Sequence, residues 1–297
     1  MMHRQRGIAL IQVLLVTGII GLLMLQMGLT AREQVARAQA LADRAELQLA
    51  AQSREAALLY SLLTEPLARN PESDNPYAAA WSFAGEPFAV DGITFSIQDE
   101  SGRMRVPDLQ SNEFERLLLS LGVAPERAHR LARELLELQG ATARTRALGE
   151  DQAAGTTADG RQYPLQDLSQ LRLLQDMDEA LYSRLRPLLT LYPTPGFNPT
   201  TAPRDLLMSR LSESEVRGLA DARAGDTVDS LTLWKLTGQQ SDESTVVAPG
   251  PGLTVRLEMQ LREARTTRVT TFIVRPYQSE AVAVWQRSSD AAGQDRS

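Results

Sequence analysis

The chain has 297 residues, of which 43% are hydrophobic, and this is enough for a core and an additional subdomain. It contains no cysteine, which excludes disulfides and thiol chemistry, and its two histidines, His3 and His129, disfavour a histidine triad or a zinc site. The formal net charge is −6, which disfavours nucleic acid as a partner, so we predict no nucleic-acid binding.

The N-terminus predicts a membrane anchor. His3, Arg4 and Arg6 precede Gly7, and Ile8–Met27 follows without a charge. A helix needs about 20 apolar residues to cross a bilayer, and the preceding positive charges place the N-terminus in the cytoplasm. A cleaved secretory signal would need its small residue after the apolar run, not before it. A secretory signal and a plain uncleaved anchor remain the alternatives.

A helical pattern continues from the apolar run to about Leu63. It carries an apolar stripe at steps of three and four residues, formed by Val35, Ala38, Ala42, Ala45, Leu49, Ala56, Leu59 and Leu63. Gln52 interrupts the stripe. Because most of its members are alanine, the stripe favours close approach to whatever packs on it, with a self-associating coiled coil as the alternative.

Alternating apolar and polar residues predict strands in two separate parts of the chain. The first part is Gly92–Gln98, followed by a turn at Glu100–Arg103 and by Met104 and Val106 at strand spacing. The second part holds three predicted strands, at Leu253–Leu261, Val269–Val274 and Ala281–Gln286.

Helical patterns occupy the region between these strands. Asn112 is a predicted cap, with Glu115 as its capping-box partner, for a helix over Glu113–Leu121. Pro125 opens a second helix that Gly140 closes. Further helices are predicted at Leu165–Leu174, from Asp178 to Pro187, at Arg204–Leu211 and at Glu213–Ala224.

The order of elements predicts an α+β fold, in which a long N-terminal helix packs on an antiparallel sheet and a large all-helical subdomain is inserted between the strands. The predicted boundaries are 1–7 for a leader, 8–28 for the transmembrane half of the helix, 29–108 for the first part of the main domain, 109–250 for the inserted subdomain, 251–287 for the C-terminal strands and 288–297 for a disordered tail.

Several stretches resemble a known family. Gly7–Leu15 resembles the prepilin-peptidase site of type IV pilins and type II secretion pseudopilins. Within that group the K-type minor pseudopilin is similar at Ile97–Arg103, Asp167–Arg172 and Phe197–Pro203. The similarity extends from Gly7 to about Trp285. The helical insertion with its Asn198–Pro203 stretch is the more specific part, since the cleavage motif alone is typical of any pilin.

The resemblance implies how the chain is processed and assembled. It implies cleavage by prepilin peptidase between Gly7 and Ile8 and methylation of the new Ile8 amine. Gln12 then occupies position five of the mature chain, where most pilins have a glutamate that neutralises the N-terminal amine of a neighbouring subunit. A subunit with nothing above it has no need of that carboxylate, so Gln12 fits a filament tip. A merely tolerated polar residue is the alternative.

The family is also associated with calcium in the inserted lobe, bound by an acidic segment. The nearest match here is Glu150 and Asp151, with Asp159 further along. Calcium takes six to eight oxygen ligands, and this loop offers three carboxylates. We therefore expect solvated loop charges, with calcium binding by these three residues as the alternative.

Two other patterns admit a functional interpretation. Asp99 and Glu100 would be a pair of catalytic carboxylates, but neighbours on a strand point to opposite faces, so we expect the exposed end of a hairpin. Asn198–Gly238 is similar to a helix-hairpin-helix pair. Its net charge of −1 and its lack of glycine-rich hairpins argue against DNA binding.

The resulting hypothesis is a non-enzymatic minor pseudopilin at the tip of a type II secretion pseudopilus. It would cross the inner membrane once, with the N-terminus in the cytoplasm and the C-terminal domain in the periplasm. The implied partners are the I- and J-type minor pseudopilins, the major pseudopilin, prepilin peptidase and inner-membrane lipid. The alternatives are a signal-anchored periplasmic binding domain or enzyme, and a minor pilin of a type IV pilus.

Overall fold

The computed structural model describes residues 6–148, 165, 167–224, 228–238, 245–262, 264–276 and 278–290. The helices are α1 (Arg6–Thr64), α2 (Pro76–Ala80), α3 (Ser111–Ser120), α4 (Pro125–Leu148), α5 (Glu179–Leu185), α6 (Arg204–Met208), α7 (Glu213–Ala224) and α8 (Ser230–Thr237). The strands are β1 (Ala84–Val90), β2 (Ile93–Asp99), β3 (Met104–Arg105), β4 (Leu189–Thr190), β5 (Gly252–Leu261), β6 (Ala264–Val274) and β7 (Val282–Asp290). The predicted fold class, a long helix on an antiparallel sheet with helices between its strands, is confirmed.

The main sheet has five antiparallel strands in the order β1-β2-β5-β6-β7. The two central neighbours, β2 and β5, are distant in sequence, and their pairing ends with Asp99 opposite Leu253. All the helices from α3 to α8 lie in the chain between these two residues. The described ends of the helical region are therefore attached to adjacent strands at one end of the sheet.

Helix α1 packs on the sheet through a face other than the alanine-rich stripe. Its buried residues recur at steps of four, four, three and four: Leu47, Ala51, Glu55, Leu58 and Leu62. The predicted stripe lies on roughly the opposite side of the helix, given 3.6 residues per turn, and Val35 and Leu49 in it are 64% and 67% exposed. Burial of Leu47, Leu58 and Leu62 removes apolar surface from water and so stabilises the packing of α1 on the sheet.

Two hydrophobic clusters divide the fold. The first lies between α1 and the main sheet. The second holds the helices together, and it includes Met104 and Val106 in addition to residues of α3 to α8. The short strand β3 pairs in parallel with β4, which follows α5. We call the part of the chain organised by this second cluster the helical lobe.

Several predicted helices have different bounds in the structure; α6, for example, ends at Met208 and not at Leu211. Helix α3 starts at Ser111, after Gln110 as the N-cap, so Asn112 lies inside it and the predicted capping box is wrong; Glu115 instead contacts His129. Helix α4 passes through Gly140, because alanine and arginine, both good helix formers, follow that glycine and no proline does. The region Leu165–Leu174 holds only a 3₁₀ segment, Leu168–Leu173.

The strands agree more closely with the sequence. The predicted strand Gly92–Gln98 is β2, and the three predicted C-terminal strands are β5, β6 and β7. Strand β1 was not predicted, because Gly85 and Pro87 interrupt its alternation. Strand β7 extends to Asp290, so the predicted tail from residue 288 is wrong for its first three residues, and residues 291–297 lie outside the described residues.

Candidate functional site

The residues predicted for processing and assembly lie on α1. Gly7 and Ile8 are in its first turn, and Gln12 is exposed one turn further along. Within the described part of the chain, one helical span, Leu10–Thr64, is long and apolar enough by length and composition to cross a membrane. Every residue from Leu10 to Ala42 is exposed. The first half of α1 therefore makes no contribution to the core of the described fold.

The calcium candidates Glu150, Asp151 and Asp159 lie outside the described residues. Within residues 6–148 and the later described ranges, no group of three or more histidine, cysteine, aspartate and glutamate side chains is arranged to hold a metal ion.

A buried carboxylate joins the helical lobe to the sheet. Asp99, at the end of β2, has no exposed surface and accepts four hydrogen bonds. Its Oδ1 accepts from the backbone N–H of Ser101 at 2.9 Å and of Gly250 at 3.1 Å. Its Oδ2 accepts from Asn198 Nδ2 at 3.1 Å and from Thr201 Oγ1 at 2.9 Å. One side chain thus fixes both ends of the lobe and the loop before α6.

The environment of Asp99 opposes its ionisation. Burial raises the pKa of the Asp99 carboxyl because the charged form loses its hydration, and this outweighs the four hydrogen bonds, each of which lowers the pKa. Burying a carboxylate whose charge is balanced by hydrogen bonds alone costs free energy. Asp99 therefore joins the lobe to the sheet at a cost in stability.

Two of the three segments that resemble the K-type family, Ile97–Arg103 and Phe197–Pro203, meet at this carboxylate. The backbone N–H of Asn198 donates to the Ser101 carbonyl at 2.7 Å, and Gln98 Nε2 donates to the Thr201 carbonyl at 3.1 Å. Asn198 also caps its own loop, since its Oδ1 accepts from the backbone N–H and the hydroxyl of Thr200 at 3.0 and 2.7 Å. Residues about a hundred positions apart in sequence therefore form one hydrogen-bonded junction.

Gly102 allows the two segments to approach each other. A Cβ at this position would lie 2.6 Å from the carbonyl oxygen of Thr201 and 2.7 Å from its Oγ1. The first of these contacts is with backbone, which has little freedom to move. Glycine is therefore required here by space and not by a positive φ, since Gly102 does not belong to the residues with that conformation.

The prediction of an exposed hairpin end at Asp99 and Glu100 is wrong, because both side chains are buried. Glu100 lies in a 3₁₀ turn, where Oε1 accepts from Arg103 Nη1 at 2.9 Å and from Thr254 Oγ1 at 2.5 Å. Its Oε2 is buried without a hydrogen-bond partner among the described residues. The two carboxylates are enclosed by the lobe, which covers this end of the sheet, so no substrate reaches them.

A second buried carboxylate fixes α1 on the sheet. Glu55 is 4% exposed and forms an ion pair with Arg268 Nη2 at 2.8 Å. It also accepts from Thr270 Oγ1, and Arg287 Nη2 lies 3.6 Å away. We did not predict Glu55 from the sequence, although Ala51, Leu58 and Leu62 at its helical spacing would have marked it as a member of the buried face.

Comparison with known proteins gives three results. Residues 95–194 match the family model described as type II secretion system (T2SS), protein K. The chain is 29% identical over 289 residues to the type II secretion system protein K of Klebsiella pneumoniae, and the match covers 87% of each chain. It also resembles a chain in the crystal structure of the GspK-GspI-GspJ complex from the enterotoxigenic Escherichia coli Type 2 Secretion System, with a TM-score of 0.47, 20% identity, and coverage of 89% of this chain and 99% of that one.

The matched range 95–194 begins within β2, contains Asp99 and Glu100, and ends just before the Asn198 loop. The resemblance to the K-type minor pseudopilin is thereby confirmed, by the family model over residues 95–194 and by the relative of 29% identity.

Proposed function

We propose that this chain is a minor pseudopilin at the tip of a type II secretion pseudopilus, where it initiates assembly and supports the export of folded proteins across the outer membrane. The observation that carries the proposal is the division of α1. Its second half is fixed to the sheet through residues such as Leu58, whereas every residue from Leu10 to Ala42 is exposed. A helix with a long exposed apolar half is suited to insertion first in a membrane and then among other helices.

Processing at the start of α1 is part of the proposal. Prepilin peptidase would cleave between Gly7 and Ile8, and the new amine would be methylated. The uncharged Gln12 supports a position at the tip, since a carboxylate in a membrane helix is costly unless it is paired. The arginines that precede the span support an N-terminus in the cytoplasm and a C-terminal domain in the periplasm.

The exposed face of α1 supports assembly with other pilin-like helices. Val35, Leu41 and Leu49 on the membrane-distal half of the helix are each more than 60% exposed, and alanines separate them. The relative of known structure comes from a complex of GspK with GspI and GspJ, so we propose I- and J-type minor pseudopilins as neighbours and the major pseudopilin beneath them. The helical lobe supports a tip position because it would crowd the side of a filament.

The N-terminus of the mature chain tests the processing step. The full chain is expressed in membranes with and without a prepilin peptidase, and the mass of its N-terminal peptide is measured. We expect a chain that begins at methylated Ile8, and we expect G7E to keep its leader. The control Q5E adds the same carboxylate two residues upstream and should be processed. An intact Met1 in the presence of the peptidase contradicts the proposal.

Co-purification tests the partners. L49E places a charge on the exposed face of α1 and should abolish co-purification with I- and J-type minor pseudopilins. L173E is a matched control, since Leu173 is 78% exposed on the helical lobe, and it should co-purify as the wild type does. Equal co-purification of L49E and wild type would exclude this face as the site of assembly.

A further inference from the structure

A cleft of about 290 Å³ lies where the segment after α1 faces the helical lobe. This volume is close to the lower end of the range of about 300–1,000 Å³ for ligand pockets, so the cleft suits a side chain or a short peptide segment. The lining residues that determine its chemistry are Leu67, Arg69, Phe83 and Glu86 from the first segment and Arg223 and Val247 from the lobe. Neither half of the chain forms the cleft alone.

Two guanidinium groups, those of Arg69 and Arg223, line the cleft. Neither Arg69 nor Arg223 forms an ion pair with a described residue. By contrast, each of four other arginines pairs with a carboxylate: Arg54, Arg127, Arg172 and Arg268. Among the described residues, Glu86 is the one acidic residue of the lining. The described lining therefore carries a net charge of +1, from two arginines and one glutamate.

Arg223 is held in place by the backbone and not by a counter-ion. Its Nη2 donates to the carbonyls of Pro199 and Ala202, the latter at 2.8 Å, and both carbonyls belong to the loop that follows Asn198. Its Nε is buried and has no hydrogen-bond partner among the described residues. Burial lowers the pKa of Arg223 to about 10, and the negative charge of Glu86 opposes this shift. The side chain stays protonated at neutral pH but is poorly solvated.

A carboxylate is the ligand that such a site would bind best. The guanidinium of Arg69 can donate two parallel hydrogen bonds to a carboxylate, and such charge-assisted bonds are stronger than those between neutral groups. Arg223, whose Nη2 already donates to two carbonyls, contributes its positive charge. The apolar walls formed by Leu67, Phe83 and Val247 favour apolar groups beside that carboxylate and disfavour a fully hydrated inorganic anion. An acidic residue between apolar ones in a peptide has both properties.

We propose that this cleft binds an acidic peptide segment of a partner protein, with Arg69 and Arg223 holding its carboxylate and the apolar walls holding the flanking side chains. The lobe and the segment after α1 would then both contact the bound peptide. This inference does not rest on the proposed function, since the site is formed within a single chain and requires no filament.

The experiment measures peptide binding to the purified full chain in detergent by fluorescence anisotropy. The probe is a labelled, capped Gly-Leu-Glu-Leu-Gly peptide, and its matched control has glutamine in place of glutamate. We expect saturable binding of the acidic peptide and at least about tenfold weaker binding of the glutamine peptide. R69Q and R223Q should each weaken binding of the acidic peptide by about tenfold or more. R184Q should not, because Arg184 is exposed on α5 away from the cleft.

R69Q keeps the test decisive if R223Q does not fold, because Arg69 is exposed and contacts the backbone only through a long hydrogen bond to Ala79, at 3.5 Å. Three results would overturn the proposal: equal affinities for the two peptides, unchanged affinity in R69Q, and complete displacement of the acidic peptide by an equal concentration of inorganic phosphate. Absence of binding up to millimolar peptide would overturn it too.

Discussion

Asp99 shows how one buried side chain can hold distant parts of a chain together. Ser101 and Gly250 donate to it from the two ends of the lobe, and Asn198 and Thr201 donate from within the lobe. A carboxylate suits this role because its two oxygens together accept four hydrogen bonds and donate none. The cost is that the charge is removed from water, which raises the pKa of Asp99.

The raised pKa predicts a specific dependence of stability on pH. The folded chain retains the proton of Asp99 to a higher pH than the unfolded chain. As pH rises past the ordinary value of 3.8, the unfolded state therefore loses its proton first, and the free energy of unfolding falls until the folded carboxyl has ionised as well. Each unit of increase in the folded pKa corresponds to about 1.4 kcal/mol.

D99N removes this titration, so we expect the stability of the wild type relative to D99N to decrease as the pH rises through that window. Denaturant unfolding of both proteins in the same detergent, followed by tryptophan fluorescence at several pH values, measures the difference. A relative stability that increases with pH would show that the hydrogen bonds outweigh burial and that the pKa is lowered.

Gly102 gives a second prediction for the same junction. G102A places a methyl group 2.6 Å from the Thr201 carbonyl oxygen, so we expect it to destabilise the chain by about 1–3 kcal/mol, as overpacking of a core does. G218A is the control, because the nearest atom is the flexible end of Leu236 at 3.1 Å and alanine favours helix α7. Denaturant unfolding compares the two, and equal stability of G102A and wild type would mean that the junction adjusts easily.

The sequence revealed the parts of this junction but not their arrangement. Ile97–Arg103 and Phe197–Pro203 are recognisable as segments typical of the family, and β2 follows from its alternation. Burial of Asp99 and Glu100 was not predictable, because two adjacent acidic residues before a glycine are normally exposed. Their partners Asn198 and Thr254 are distant in sequence, and no local pattern relates them.

Helix α1 has two apolar faces, and only one of them is buried within the described fold. Apolar periodicity alone does not distinguish the face that packs on the sheet from the face available to other chains. Val35 and Leu49 of the alanine-rich stripe are exposed, whereas Leu47, Leu58 and Leu62 lie in the core. The buried Glu55 also obscures the core face, since charged residues normally indicate the exposed side.

Glu55 leads to a prediction about how the helix is fixed. E55Q keeps the size of the side chain but leaves Arg268, whose side chain is 14% exposed, without its carboxylate. We expect a loss of about 3–5 kcal/mol, because removal of one partner of a buried ion pair leaves an uncompensated charge. Thermal and denaturant unfolding measure it.

The control is another ion pair between α1 and the sheet. Arg54 and Asp91 lie 2.7 Å apart, and both are considerably exposed. D91N should cost less than about 1 kcal/mol, and asparagine tolerates the positive φ of 50° at that position. If E55Q costs no more than D91N, the buried pair does not fix the helix.

At the scale of the whole molecule, the described fold begins well after the membrane-length segment. Residues from Leu10 to Ala42 are exposed, and Leu47 is the first buried residue. We therefore predict that a chain beginning at Ala31 folds, and that its free energy of unfolding is within about 0.5 kcal/mol of that of the full chain in the same detergent. Loss of cooperative unfolding in the shortened chain would show that the first half of α1 is needed for folding.

The overall architecture was more predictable than its details. The order of helix, strands, helices and strands is sufficient to indicate an inserted lobe, because strands that pair must bring the two ends of an insertion together. The bounds of α3 and α4 were not predictable from the sequence, since Asn112 and Gly140 are weak signals that packing overrides. Strand β1 was missed because a glycine and a proline interrupt an edge strand more readily than a central one.

The position of Asp99 beside Gly250 has a consequence for how such a molecule can change. Because the lobe leaves and rejoins the sheet at neighbouring points, its length and content can vary without shifting the pairing of β2 with β5. The sheet and α1 can therefore carry different inserted lobes, provided that each lobe supplies an asparagine and a threonine that donate hydrogen bonds to the same carboxylate. Exchanging lobes between related proteins would then leave the packing of α1 on the sheet and the pairing of β2 with β5 intact.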